Sequence, residues 1–435
     1  MVGEYHGNDA RVSSPTVEID QPGDSDVRRL FREPSVIAVL AAQIASATAS
    51  ALLAIGVGKQ VYDMTKNPFD LGLIGLAEFL PAMFLVLVTG SVADRFDRRK
   101  VSALALAGEL VFILGLIAYV RTNPTAPGPI FVLLVGFGAT RAFVAPAMRS
   151  LPPMVAPTGT LPRLVAFSSA TWQVAAIVGP VMAGLLYTVG RTLPFVAAAF
   201  FIALAMIAVL TVRLRNVQPS TRGERPSLRL AMEGLRFVRT NPILFGAISL
   251  DLFAVLFGGA VALLPAIADQ RLGVGAVGLG WLRAAGGIGA SLTAAALAVK
   301  PIRRRVGKVL LVTIALFGVA TVGLGLTRSY VVAFAAMFVL NAADMISVFI
   351  RGTIVPLSTP NHMRGRVLAV ENVFIGASNE LGGFESGTAA RIMGTTLAVV
   401  TGGLATVAIV IGWWWFFPAL RNIDTFDELE TPDEG

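Results

Sequence analysis

Long apolar runs alternate with short polar loops through nearly the whole chain. A helix that crosses a bilayer needs about 20 mostly apolar residues. Runs of that kind cover residues 36–58, 71–93, 101–120, 130–149, 164–189, 193–212, 243–268, 277–299, 309–327, 331–350, 367–392 and 395–417. The third, fourth and tenth are short for a span. The fifth and eleventh are long enough to tilt or to extend past the bilayer. The longest internal polar stretch, 213–242, is rich in Arg and contains Pro219, Gly223 and Pro226. It divides the chain into a six-span half over 36–212 and another over 243–417. The expected fold is therefore an all-α integral membrane protein, with twelve transmembrane helices in two six-helix bundles. Residues 1–35 and 418–435 read as polar tails, the first disordered and the second acidic.

Charge then orients the spans. One set of loops carries Arg95, Arg98, Arg99 and Lys100, then Arg149 and Arg163, the Arg-rich centre, Lys300 with Arg303 to Arg305 and Lys308, and finally Arg364 with Arg366. The opposite set holds Lys59 and Lys66, offset by Asp63 and Asp70, and otherwise single arginines. Basic loops stay on the cytoplasmic side. Both termini and the central loop are thus expected in the cytoplasm, with the spans in the plasma (inner) membrane.

Composition excludes several other classes. Charged residues make up 14% of the chain, against roughly 25% in soluble domains, which is too few to wet a globule of this size. The net charge of +8 is spread over loops and forms no basic domain, so nucleic acid is not an expected partner. Without Cys, and with His6 and His362 as the only histidines, disulfides, thiolate metal sites and His-rich metal chemistry are out. Residues 1–34 lack the apolar core and cleavage site of a secretory signal. No P-loop and no His-Glu-x-x-His zinc motif occurs. Neither an enzyme nor a cofactor is expected.

The two halves echo each other. A shift of 203 residues lays 157–166 on 360–369, and pairs Gly179 with Gly382, Gly184 with Gly387 and Arg141 with Asp344. A parallel repeat of this size belongs to transporters whose site lies between two bundles.

The loop after the second span, from Gly90 through Asp94, Arg95, Arg98 and Arg99 to Lys100, resembles the first signature of the major facilitator superfamily. Asp97 stands where that signature has its second Gly. A weaker copy, Arg304 to Lys308 with Gly307, follows the eighth span, with Arg304 in the place of the acid. The resemblance covers roughly 36–417 and implies the major facilitator fold. It also implies that these residues form a latch between helix ends, which breaks and re-forms as the bundles rock. Plain positive-inside topology is the alternative for the individual arginines. Gly179, Pro180 and Gly184 in the fifth span resemble the superfamily's exporter-associated motif, with Ala175 and Ala183 in two of its Gly places. That motif is associated with antiporters; an ordinary small-residue packing face reads equally well. Residues 249–259 and 378–387 look like the branch that includes enterobactin-type siderophore exporters and macrolide-type drug efflux proteins.

Ionisable residues at membrane depth are expensive and face protein or a cavity. Those residues are Glu78, Glu109, Arg141, Asp251, Arg283, Asp344, Glu371, Glu380 and Glu385. Glu78, Arg141, Asp251, Asp344, Glu371, Glu380 and Glu385 are the candidates for binding a proton or substrate. Asp251, Glu371 and Arg283 lie close enough to span ends to snorkel or cap instead. A structural salt bridge is the alternative for Arg141 and Asp344. The expected function is proton-coupled export of an amphipathic small molecule, a siderophore or a drug, by a monomer in the lipid bilayer. Uptake of nutrient or lysolipid by the same fold, and a non-transporting membrane sensor, are the alternatives.

Overall fold

The computed structural model describes residues 24–214 and 228–429, with the side chains of Gly90, Asp94, Arg95 and some neighbours outside that description. Twelve long helices appear where the apolar runs place them. The first half holds α1 (Pro34–Thr65), α2 (Pro68–Arg95), α3 (Arg98–Arg121), α4 (Gly128–Arg149), α5 (Leu161–Val189) and α6 (Leu193–Thr211). The second holds α7 (Pro242–Phe257), α8 (Ala276–Val299), α9 (Val306–Leu326), α10 (Tyr330–Leu357), α11 (Asn361–Met393) and α12 (Thr395–Phe416). Proline opens several of them, where its missing N–H costs nothing. Asn67 caps α2 by accepting from Phe69 N at 3.2 Å. Asn241 caps α7 in the same way, from Ile243 N at 3.0 Å and Leu244 N at 3.2 Å.

Three helices depart from the sequence reading. The first helix runs on to Thr65, so Lys59 and Asp63 form an ion pair on its last turns and are not loop residues. The seventh span is broken: α7 stops at Gly258–Gly259, a 3-10 turn follows over Gly259–Leu263, and a short helix, Leu264–Gln270, resumes behind Pro265. Adjacent glycines alone do not break a helix here, since Gly286–Gly287 and Gly402–Gly403 lie inside α8 and α12; Pro265, which has no N–H to continue the helix from Val261, adds the second interruption. The Ala254 carbonyl at the break accepts from Gly258 N at 2.8 Å and from the Thr406 hydroxyl at 3.2 Å. Finally, α10 runs two turns past 350, which brings Arg351 inside the helix.

Eleven spans among the described residues are long and apolar enough to cross a membrane, counting α7 through to Gln270 as one. The exception is α11, which carries Arg364, Arg366, Glu371, Glu380, Glu385 and Arg391. A helix this polar must pack against protein on much of its surface. It does, against α2 and α7.

Each bundle repeats one packing scheme. The first helix of the half contacts the fifth and sixth, the second contacts the fourth, and the third contacts the fourth and sixth. The pairs α1–α5, α1–α6, α2–α4, α3–α4 and α3–α6 thus recur as α7–α11, α7–α12, α8–α10, α9–α10 and α9–α12. Two pairs join the bundles, α2–α11 and α5–α8, and the same repeat exchanges one for the other.

The polar segments are partly ordered. Residues 24–31 of the expected N-terminal tail form a short helix, with Phe31 packed edge-on against Phe167 of α5 at 5.1 Å. The central stretch contains an amphipathic helix, Leu228–Thr240, which docks on α11 through the Glu233–Arg366 ion pair at 2.8 Å. After α12, Ile423 and Asp424 accept backbone hydrogen bonds from Gly307 and Val306 at 3.1 and 3.2 Å. Apolar faces buried on the bundles account for this order.

Asp97, at the N-terminus of α3, makes one loop contact with a definite pH signature. Its carboxylate accepts from Arg99 Nη2 at 2.8 Å and from Arg99 N at 2.9 Å, and Arg99 Nη1 donates to the Val212 carbonyl beyond α6 at 2.9 Å. Those bonds from Arg99 hold the Asp97 carboxyl below the usual carboxylate range. The stabilisation is therefore complete above the ordinary carboxylate value and is lost as pH falls through the depressed one. Asp97→Asn keeps the cap and loses the charge pair. It should cost roughly 0.5 kcal/mol near neutral pH, the scale of a partly exposed pair. Melting curves of the two proteins should converge as pH falls below that depressed value.

Candidate functional site

The two seams between the bundles lie toward the Arg-poor ends of the helices. Along the first, Gly387 of α11 packs on the backbone of Gly72 in α2, and Gly72 on Phe384. One turn further, the carboxylate of Glu380 lies over Gly75. Phe79 then meets Gly376, and beyond them the same helix faces continue as Met83 and Val373, which are 40% and 50% exposed. Along the second seam, Gly184 of α5 packs on the Ala276 backbone, and Gly280 of α8 on the Pro180 carbonyl. Gly287 follows on Ala176, and Ser291 Oγ meets Gln173 Oε1 at 3.4 Å. Past Gln173, Ala166 and Ala170 are exposed. The bundles thus touch from the Arg-poor ends to mid-depth and part toward the Arg-rich ends.

The closed end is also tied by polar contacts. Lys66, at the end of α1, pairs with Asp269 at 3.0 Å. Gln270 Nε2 donates to Tyr62 Oη at 2.8 Å, and Gln270 Oε1 accepts from Thr395 Oγ1 at 2.9 Å. The break in α7 is what sets Asp269 and Gln270 across from α1.

At mid-depth the seams bring five charged residues together. Glu380 lies within electrostatic reach of Glu78 of α2, Arg141 of α4 and Arg283 of α8. Glu109 of α3 lies within reach of Glu78 and Arg141. Arg141 is hydrogen-bonded to the Ser50 hydroxyl of α1. Glu109 is fully buried, and neither carboxylate oxygen has a hydrogen-bond partner. The other four are half-buried, as groups lining an opening would be. Of the residues nominated from sequence, Glu78, Arg141 and Glu380 therefore come together, joined by Glu109 and Arg283.

A second cluster lies inside the C-terminal bundle. Asp251 pairs with Arg351 at 2.7 Å, both side chains being buried, and Arg351 Nε donates to Ser347 Oγ at 3.2 Å. Glu371 and Asp344 lie within reach of this pair. Asp251, Asp344 and Ser347 line a cavity of about 10 Å³, room for one water. Asp251 and Glu371 are thus buried by protein and do not reach toward the bilayer surface. Arg351 was missed because the sequence reading ended its span at 350.

The remaining nominees stand apart. Glu385 is contacted by Ser386 Oγ at 3.4 Å, one turn nearer the Arg-poor end than the central cluster. Gly179 packs α5 on Ala51 of α1, whereas Pro180 and Gly184 pack it on α8 across the bundles. In the latch motif, Arg99 ties α3 to α6, and Arg98 contacts Met154 Sδ at 3.4 Å. Gly90, Asp94 and Arg95 end α2, with side chains outside the description. Arg304 pairs with Asp424 at 3.3 Å and Gly307 abuts the Leu420 carbonyl, so the second copy holds the C-terminal segment.

Sequence gave no signal for Gly75, whose missing Cβ makes the notch for Glu380. Gly75→Ala should cost about 1 kcal/mol or less, because the added methyl meets only the mobile end of the Glu380 side chain. Gly72→Ala would meet backbone atoms of Gly383 and Phe384 and should cost more, about 1–3 kcal/mol. Equal melting temperatures for the two variants would refute that ranking.

The sequence model of the transmembrane secretion effector family matches residues 30–432. The enterobactin exporter EntS of Shigella boydii serotype 4 (strain Sb227) is 27% identical over 349 residues, covering 78% of this chain and 81% of that protein. Its counterpart in Escherichia coli O139:H28 (strain E24377A / ETEC) is 26% identical over 347 residues, with the same coverage. Among solved structures, a mutant of the nucleoside transporter NupG superposes with a TM-score of 0.68 at 12% identity, covering 87% of this chain and 99% of its own. A bacterial homolog of the human lysosomal transporter Spinster, inward-facing and unoccupied, gives 0.67 at 15% identity, covering 89% and 95%. A D-xylose-proton symporter gives 0.66 at 14%, covering 90% and 99%. At such identities the solved structures speak for the fold alone.

Proposed function

This chain belongs to the transmembrane secretion effector family of the major facilitator superfamily, and on that premise we propose that it exports amphipathic small molecules, siderophores or drugs, in exchange for protons. It is a multi-pass membrane transporter and not an enzyme. The observation that carries the proposal is the mid-depth cluster contributed by both bundles, in which Glu78, Arg141, Arg283 and Glu380 are half-buried at the opening and Glu109 is fully buried behind them. Charged groups held there at a cost of a few kcal/mol each are retained for what they bind. Their place at the junction lets rocking of the bundles present them to either side in turn.

Direction rests on the exporter relatives and on Pro180 and Gly184, which pack the two bundles together. With the Arg-rich loops and both termini in the cytoplasm, the opening faces inward, as loading an exporter requires. The inner membrane and a monomeric unit complete the reading.

Within this scheme, Asp251 has a structural duty. Its carboxylate compensates Arg351 in a dry interior, and breaking such a pair costs about 3–5 kcal/mol. Among the described residues Asp344 and Glu78 have no such tie. In proteoliposomes with an imposed pH gradient, Glu78→Gln and Asp344→Asn should fold normally and lose gradient-driven flux. Asp251→Asn should lower the melting temperature first. Undiminished flux in both Glu78→Gln and Asp344→Asn would remove them as coupling groups.

A further inference from the structure

We propose that the chain carries a binding site for one anionic phospholipid on its outer face, in a groove between α1 and α5 toward the Arg-rich end. The groove encloses about 350 Å³. Ile37, Ala41 and Ile44 line it from α1, and Phe167, Thr171 and Val174 from α5. The Thr171 hydroxyl donates to the Ser168 carbonyl at 2.7 Å, which leaves the walls apolar. The three α1 residues follow the i, i+4, i+7 spacing of a single helix face. That face continues to Thr48 and Ala51, which pack on Gly179 of α5. The two helices therefore touch at mid-depth and part toward the Arg-rich end, and the groove is the gap between them. It opens to the bilayer. Val178 and Leu185 extend the α5 stripe to depths at which the bundles are closed on each other, and they are 49% and 50% exposed. A side chain exposed there faces lipid. The α5 residues that meet the other bundle, Gln173, Pro180 and Gly184, lie on a different side of the helix.

The mouth of the groove suits an anionic headgroup. Phe31, the last residue of the short helix Asp24–Phe31, lines the groove and packs edge-on against Phe167 at 5.1 Å. Beside it Arg29 and Arg32 are exposed. Arg213 is exposed as well, and its N–H donates to Ser35 Oγ at 3.0 Å, which sets it at the first turn of α1. None of the three guanidinium groups is in an ion pair among the described residues, whereas Glu33, next to Arg32, already has a partner. Guanidinium groups keep their charge and bind phosphate oxygens bidentately. A zwitterionic headgroup would bring its own cation among them. The stretch 37–44 of α1 rises roughly 10 Å, about two-thirds of one leaflet of a hydrocarbon core ~30 Å thick. A phosphate held by the arginines therefore lays its acyl chain along the groove.

Purified full-length protein in mild detergent, titrated with phosphatidylglycerol or phosphatidylcholine, can be read by native mass spectrometry. It should retain one phosphatidylglycerol at least about tenfold more tightly than phosphatidylcholine, the scale of a few basic residues at a membrane surface. Arg29→Gln, Arg32→Gln and Arg213→Gln together should erase that preference and leave the melting temperature without lipid unchanged. Ala41→Phe fills the groove, keeps the arginines, and should weaken phosphatidylglycerol retention by a similar factor. In the unsubstituted protein, phosphatidylglycerol with a photoreactive acyl chain should label 37–44 and 167–174 in preference to the lipid-facing stretch 196–210. Equal retention of the two lipids, or label spread evenly over the exposed helix faces, would mean annular lipid only and overturns the proposal. Displacement of phosphatidylglycerol by glycerol 3-phosphate would mean a free-phosphate site, and also overturns it. Label that enters the groove only after removal of residues 1–23 makes the chain's own N-terminus the occupant, with the same consequence.

Discussion

Two backbone-to-backbone contacts hold the molecule in the shape described. On one side Gly387 of α11 lies on Gly72 of α2, and on the other Gly184 of α5 lies on Ala276 of α8. Each contact needs a residue without a side chain, because a methyl group there would meet main-chain atoms. Between membrane helices there is little hydrophobic driving force, so close packing of small residues is a main source of association. The seams fix how deep each helix sits against its partner across the bundles. That depth sets Glu380 opposite Gly75 and places four further charges around it.

The two bundles share a scaffold and differ in their charges. The repeat puts Arg141 and Asp344 at matching positions, yet their surroundings have diverged. Arg141 is held by a neutral hydroxyl and lies within reach of Glu78 and Glu109 of its own bundle and of Glu380 of the other. Asp344 sits beside a water-sized cavity in a bundle that already contains the closed Asp251–Arg351 pair. One bundle thus encloses its cluster around a buried ion pair, whereas the junction shares its cluster between both bundles. A moving interface is where charged groups can be met first by one species and then by another.

The helices and the division into halves were legible because a bilayer leaves few alternatives: runs of about 20 apolar residues have to be spans. The small-residue motif in α5 was legible too, although which of its residues face which bundle was not. Features that depend on helix ends and on distant partners escaped. Lys59 and Asp63 read as loop residues because charge at the end of an apolar run looks like an exit, whereas they neutralise each other on the helix. Arg351 escaped for the same reason, and with it the partner of Asp251. The break in α7 was hidden by an unbroken apolar run, since periodicity does not register two adjacent glycines as a stop. No pattern within the last apolar run shows that Trp413 donates to the Gly246 carbonyl at 3.1 Å, 167 residues away.

The central claim is that the seam at the Arg-poor end must part for transport to occur. The chain has no native Cys, so a single engineered pair can test it. Lys66→Cys with Asp269→Cys places thiols on either side of the seam that a 3.0 Å ion pair now bridges, with the lysine side chain supplying much of the reach. A short bis-methanethiosulfonate reagent in place of that side chain should cross-link the two and stop gradient-driven flux, and reduction should restore it. Flux that continues at the uncross-linked rate, with the cross-link shown to be complete, would contradict the account.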